Sequence, residues 1–265
     1  MAADAGDGPR RAPRVADVEA VFLDVGGVLR LPNPTHIAGA LARLGFEADT
    51  ALMPRAHYAG VAALDEGRFT EGDREVWLGY TRAFAAALGV TGELIEEAAE
   101  LLLNEFATAV LWDHVIPGAA EALAAIASTG VRMAIVSNSD GTVEATLRED
   151  GLCQVGPGPG VPVEAIIDSA VVGVAKPDPA IFAIALERLG VEPGRVIHVG
   201  DTPAADVAGA RAAGITPVLV DPHDDHPHLE VVRIRHVAEV VALLRPASPA
   251  EPGPLTSGAA GTPSG

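Results

Sequence analysis

Five short apolar runs constrain this chain more than any other feature: residues 20–24 (AVFLD), 132–137 (RMAIVS), 164–168 (EAIID), 195–200 (RVIHVG) and 216–220 (TPVLV). Each is continuously apolar rather than alternating, as strands buried on both faces are. From the second onward, helical pattern separates each run from the next. Residues 118–130 end at Gly130, a frequent helix stop. Residues 179–190 open with Asp178 as N-cap and Pro179 at the first helical position. Residues 203–214 open on Pro203 in the same way, and 236–244 close the series. Such alternation predicts an α/β fold, a doubly wound parallel sheet with helices on both faces.

The stretch from 33 to 112 breaks the alternation. It holds no strand-like run but four helical segments, near 34–45, 50–65, 71–88 and 91–108, parted by Gly, Asp, Thr and Pro. An all-helical domain inserted after the first strand is expected. The division is then an α/β core at 18–32 and 113–245, with the helical domain at 33–112. Residues 1–17 and 246–265 are rich in Ala, Gly and Pro and read as disordered tails.

A chain of 265 residues suffices for a real core, and with aromatics at only 4%, Ala, Val and Leu must fill it. Acids outnumber Lys plus Arg by 36 to 18, a net charge of −18. That argues against non-specific nucleic-acid binding and against an anionic membrane surface. An anionic substrate stays possible, because a bound cation and a few placed donors invert the local field. The single cysteine, Cys153, excludes an internal disulfide and a cysteine-rich zinc site, and fits a reducing compartment. The N-terminus lacks the apolar segment of a signal peptide, and no run of about 18 apolar residues exists to span a membrane. A cytoplasmic protein is expected, with no nucleic-acid or membrane partner; oligomeric state is not legible.

Ligands of open α/β sheets bind beyond the carboxyl ends of the strands. Asp24 stands there after the first run. Ser137 and Asn138 follow the second, Lys176 lies some way past the third, and Asp201 and Asp206 follow the fourth. These side chains suit phosphoryl transfer. A carboxylate can attack phosphorus. Magnesium takes oxygen ligands, usually one or two carboxylates with substrate phosphate and waters, which Asp24 and Asp201 could supply. Asp206 is a further ligand or an orienting group. Ser137 can donate to a phosphoryl oxygen, and Lys176 adds positive charge where the transition state spreads negative charge. Blander readings exist: Asp24 as a turn acid, Ser137 as a helix cap, Asn138 as part of its turn, and Asp206 as a first-turn acid favoured by the helix dipole. Against them stands Lys176, the one lysine beside 17 arginines.

Four stretches in order, FLDVGGVL (22–29), AIVSN (134–138), AKPDP (175–179) and VGDTPAAD (199–206), resemble the motifs of the haloacid dehalogenase superfamily. The resemblance covers about residues 18 to 222, and the helical insertion is similar to that family's small C1-type helical cap. It implies a magnesium-dependent phosphatase acting on a small phosphorylated metabolite, with Asp24 as nucleophile. It implies metal binding by Asp24, the backbone carbonyl of Gly26, Asp201 and Asp206, and phosphate contacts by Ser137, Asn138 and Lys176.

One position departs from the pattern. The family's phosphatases carry a second Asp, the general acid, where this chain has Gly26. General acid–base help is worth roughly 10²–10⁴ in rate. Four readings stay open. The adopted one is a phosphatase whose leaving group needs little protonation, such as an anomeric or acyl phosphate, or which borrows a cap residue or water. The second is a non-catalytic phosphate- or partner-binding protein. A 2-haloacid dehalogenase is disfavoured, since those enzymes work without metal and typically lack the paired acids this chain keeps. A phosphonate hydrolase needs a cap lysine, and 33–112 contains none.

Among remaining features, Asp140 is the nearest candidate for a stand-in acid. DPHDDHPH (221–228) reads as a polar loop rather than a second metal site. Trp77, Trp112, Tyr58 and Tyr80 read as packing of the insertion rather than substrate stacking. Arg43, Arg55, Arg68, Arg74 and Arg82 read as solvated rather than gripping a second anion. Cys153, near GPGPG, reads as a spare thiol in a loop.

Overall fold

A computed structural model describes residues 18–64, 73–107 and 111–244. The two expected tails and Arg68 lie outside them. Six parallel strands form the main sheet: β1 (Ala20–Leu23), β2 (Arg132–Ser137), β3 (Ala165–Asp168), β4 (Val196–Gly200), β5 (Thr216–Val220) and β6 (Val232–Ile234). Their spatial order is β6-β5-β4-β1-β2-β3. Strand β1 is central, Ala20 pairing with Arg132 on one side and Val196 on the other. The direction of winding reverses between β1 and β4, the place where such sheets bind ligands.

The helices are α1 (Pro34–Ala42), α2 (Met53–Ala62), α3 (Arg74–Ala87), α4 (Leu94–Phe106), α5 (Ala119–Ala127), α6 (Val143–Glu149), α7 (Ser169–Val172), α8 (Pro179–Leu189), α9 (Ala208–Ala212) and α10 (Val240–Leu244). Strand β1 shows why the sheet must be covered twice. Val21 and Leu23 pack with Leu123, Leu147 and Val240 of α5, α6 and α10. Ala20 and Phe22 face the other way, with Ile181, Phe182 and Ala185 of α8 and Ala210 of α9. Every β1 side chain is fully buried.

The sequence reading finds five of these six strands. It misses β6, an edge strand of three residues interrupted by Arg233, which pairs with Asp221 at 3.2 Å. The expected helix at 203–214 opens instead as a wide π-helical turn, Pro203–Val207, before α9. Such turns favour functional sites, and this one carries Asp206. Cys153 is not in a loop: Cys153–Val155 pairs in parallel with Val161–Val163. Gln154 folds the glycines between them by accepting from the Gly160 N–H at 2.9 Å and donating to the Gly156 and Gly160 carbonyls. Cys153 is fully buried, and burial pushes its thiol up to about 12.

Helices α1–α4 lie between β1 and β2 and build a core of their own around Ile37, Leu41, Val61, Phe84 and Leu102. Helix α1 starts where Asn33 accepts the His36 N–H at 2.9 Å, and α3 where Asp73 accepts that of Glu75 at 2.9 Å. At the base of this insert, Arg30–Leu31 pairs antiparallel with His114–Val115. No helix among the described residues is long and apolar enough to cross a membrane.

Candidate active site

Asp24 leaves the end of β1 with its N–H bonded to the Val199 carbonyl of β4 at 2.9 Å, so its backbone is held by the neighbouring strand. Lys176 reaches between two acids, its Nζ 2.8 Å from Asp24 Oδ1 and 2.7 Å from Asp206 Oδ1. Burial opposes the charge on Lys176, but Asp206 and Asp24 outweigh it and hold the ammonium above the usual lysine range. Burial also works against Asp206, yet Lys176 and His198 keep its carboxyl well below the usual carboxylate range. Asp24 goes the other way: burial pushes it up to about 7, with Lys176 pulling down and Asp206 and Asp201 adding to the rise.

Asp206 is held by three donors. Its Oδ1 accepts from His198 Nε2 at 2.8 Å as well as from Lys176, and its Oδ2 accepts the Thr202 N–H at 3.0 Å. Gly200 makes room for it, since a Cβ there would lie 2.1 Å from Asp206 Cγ. Asp24, Asp201 and Asp206 each offer an oxygen within 4.8 Å of the others, the only such group of His, Cys, Asp and Glu among the described residues. An all-oxygen set of this kind could hold a hard cation.

All seven positions singled out in the sequence, Asp24, Gly26, Ser137, Asn138, Lys176, Asp201 and Asp206, line one cavity of about 700 Å³. Ser137 ends β2, buried beside Asp168 of β3. Asn138, expected to serve its turn as well as the phosphate, braces a second loop. Its side chain accepts the Lys176 N–H at 2.8 Å and donates to the Lys176 carbonyl at 3.0 Å, which fixes the loop that delivers the ammonium.

The helical insert enters the site through α2. His57 Nε2 lies 2.8 Å from Asp201 Oδ2, and its Nδ1 2.8 Å from the Tyr80 hydroxyl. Both ring nitrogens are thus engaged, one by a carboxylate and one by a hydroxyl that can give or take a hydrogen bond. The next residue, Tyr58, donates to the Gly27 carbonyl at 2.7 Å. Arg55 forms a two-pronged pair with Asp225, at 2.7 and 2.9 Å. Arg55→Ala is expected to cost under about 1 kcal/mol, because the pair is partly exposed. His57→Ala removes a buried hydrogen bond to a carboxylate and is expected to cost about 1.5–3 kcal/mol. Urea denaturation of the two variants side by side checks the order.

Other candidates resolve by their partners. The 221–228 loop folds on its first acid, Asp221 accepting the N–H groups of Asp225 at 2.8 Å and His226 at 3.1 Å. Arg43, Arg74 and Arg82 pair with Glu105, Glu100 and Glu96. Asp140 accepts from the Thr142 hydroxyl at 2.7 Å, and these bonds lower its carboxyl, a poor state for a proton donor. Tyr58 is a buried packing residue, whereas Tyr80, Trp77 and Trp112 pack and also line the cavity. His57, Asp168, His198 and Thr202 escape the sequence reading. His198 left a trace, a polar residue inside a buried strand. Asp168 left another, a strand-end acid that accepts from Gly141 at 2.9 Å and so shapes the loop after Ser137. His57 on a helix of the insert left none.

A parallel sheet with strand-end acids around a buried lysine, and a helical insert after β1, defines a class, and comparison with known proteins gives the family. The haloacid dehalogenase-like hydrolase family model matches residues 18–214, and the chain belongs to that family of hydrolases. A Danio rerio protein called haloacid dehalogenase-like hydrolase domain-containing protein 3 is 31% identical over 202 residues, 75% of this chain and 76% of that one. The Xenopus laevis protein of the same name is 32% identical over 56% of this chain, a match that spans 58% of its own length. A Thermus thermophilus phosphoserine phosphatase is 34% identical over 61% of this chain and 65% of its own, and a Rhodospirillum rubrum phosphoglycolate phosphatase 35% over 52% and 57%. The crystal structure of a HAD phosphatase from Thermococcus onnurineus shares the fold, with a TM-score of 0.52 at 22% identity over 86% of this chain and 98% of that one.

Proposed function

We propose that this hydrolase is a phosphatase that cleaves a small phosphate monoester by attack of the Asp24 carboxylate on phosphorus. The observation that carries the reading is Lys176 buried between Asp24 and Asp206, with Asp201 close enough to complete an oxygen cluster. The phosphatase names among its relatives support it. In this reading Ser137 and Lys176 hold the phosphoryl oxygens, and Asn138 and Asp206 hold Lys176 in place. Asp24, Asp201 and the Gly26 carbonyl would hold magnesium. Asp206, whose oxygens already accept three hydrogen bonds, serves as the orienting group more readily than as a direct ligand. When bound, the ion would supply positive charge that relieves repulsion between the acids and the phosphate. The Asp24 carboxylate takes the phosphoryl group, and water then releases inorganic phosphate. The helical insert acts as the cap over that site.

Nitrophenyl phosphate with magnesium provides the test. Wild type is expected to release phosphate in a metal-dependent way, and Asp24→Asn to lose about 10³-fold or more. A folded Asn variant as fast as wild type would sink the assignment of Asp24. Halide release from a 2-haloacid without metal, with no phosphate release, would replace the reading with dehalogenation.

A further inference from the structure

Beyond the acids the cavity changes character. On the insert side, Val61, Leu64, Trp77, Leu103, Phe106 and Trp112 supply most of its wall, with His57, Arg74, Tyr80 and Asn104 as the polar members. Phe106 and Trp112 meet edge to face, with ring centroids 5.7 Å apart. Among the described residues, each lysine or arginine on the cavity wall already faces a carboxylate of this chain. Lys176 faces Asp24 and Asp206, Arg30 faces Asp150, and Arg74 faces Glu100. Among the described residues the insert side of the cavity thus offers mainly apolar and aromatic surface, and its cations already pair with carboxylates of this chain, with Arg30 Nε the one cationic donor left without a hydrogen-bond partner.

The missing acid points the same way. A Cβ on Gly26 would lie 3.4 Å from Trp112 Cζ3, so an indole roofs the place where a carboxylate side chain would begin. His57, which also lines the cavity, has both ring nitrogens engaged, by Asp201 and Tyr80. Asp140 is held ionised by Thr142. Among the described residues, none of these side chains is placed to protonate a leaving oxygen beside Trp112, which favours a weakly basic one.

We propose that the substrate is an aryl phosphate, a monoester whose leaving group is a flat aromatic alcohol seated against Trp77, Phe106 and Trp112; the proposal rests on the phosphatase reading. The balance is simple. An Asp24 oxygen bonds to phosphorus as the bond from phosphorus to the aryl oxygen breaks. The aryl oxide leaves with the electron pair and takes its proton from water. A second water cleaves the aspartyl phosphate, returning the carboxylate and releasing phosphate.

The test compares kcat/KM for 2-naphthyl phosphate, phenyl phosphate and phosphoglycolate, with acetyl phosphate as a small, acid-independent control. Naphthyl and phenyl esters have leaving groups of nearly equal acidity, so their ratio reads burial of the extra ring. A naphthyl preference of about tenfold is expected, with phosphoglycolate slower than either. Trp77→Ala should bring the naphthyl-to-phenyl ratio toward one, while the wild-type comparison stands even if that variant does not fold. Equal rates on the two aryl esters, or phosphoglycolate as the best substrate, would overturn the proposal and leave the phosphatase reading intact. Silence on all four compounds, acetyl phosphate included, would overturn both.

Discussion

Replacing Lys176 with methionine is expected to produce the largest combined loss of activity and stability in this protein. The ammonium is 2% exposed and is shared by two buried carboxylates. Removing one member of such a cluster leaves charge uncompensated in the interior, which costs about 3–5 kcal/mol. Removing one placed cationic donor from a phosphoryl site is expected to lower turnover about 10²–10³-fold. The stability loss should depend on pH, with a definite sign. Asp24 keeps its proton in the folded, metal-free protein up to about pH 7, whereas an ordinary Asp loses it near pH 4. Its contribution to stability is therefore complete below the lower value and is lost as pH rises through the upper one. Without Lys176 the opposing pull is gone, and the upper limit moves higher still. Thermal unfolding in chelator should show the variant below wild type at pH 5, where Asp206 has lost its cation, and further below it at pH 8, where Asp24 has lost it too. A penalty equal at both pH values would show that Asp24 does not change its charge between them.

The second large effect separates two adjacent glycines. Gly27→Ala is expected to cost about 2–5 kcal/mol, combining left-handed backbone strain with overpacking. Gly27 sits at φ +64°, and a Cβ there would lie 2.0 Å from Asp201 Oδ2 and 2.7 Å from His57 Nε2. The methyl would push apart the hydrogen bond that joins the insert to the β4 acid, so activity should fall with stability. Gly26→Ala, one residue earlier, meets only Trp112 at 3.4 Å, an ordinary contact. It should change stability by no more than about 1 kcal/mol, since alanine also restricts the unfolded chain. Denaturant midpoints of the two variants give the comparison directly. Gly27→Ala as stable as Gly26→Ala would mean that Asp201 and His57 are not packed against this turn.

Much of the rim was legible in the linear chain, and the reason is local. Asp24, Ser137, Asp201 and Asp206 each follow an apolar run within a few residues, so locating the strands locates the acids. Lys176 was legible because it is the chain's one lysine. Asn138 was placed in the site, but its hold on Lys176 was not legible, since that partner lies 38 residues away and is a backbone. Helix α2 was legible as a helix, but nothing in AHYAG says that His57 points at Asp201, 144 residues on. Strand β6 was lost because one arginine in three residues hides an edge strand.

The alternation of apolar runs and capped helices thus determined the parallel sheet, the insert and the strand-end acids. Those features are set by side-chain period and by neighbours a few positions apart. The tertiary structure alone decided which of two consecutive glycines tolerates a side chain, that Asn138 serves Lys176, and that an indole covers the place of the missing acid. Each of these depends on atoms distant in the chain meeting within a few ångströms, and only packing brings them there.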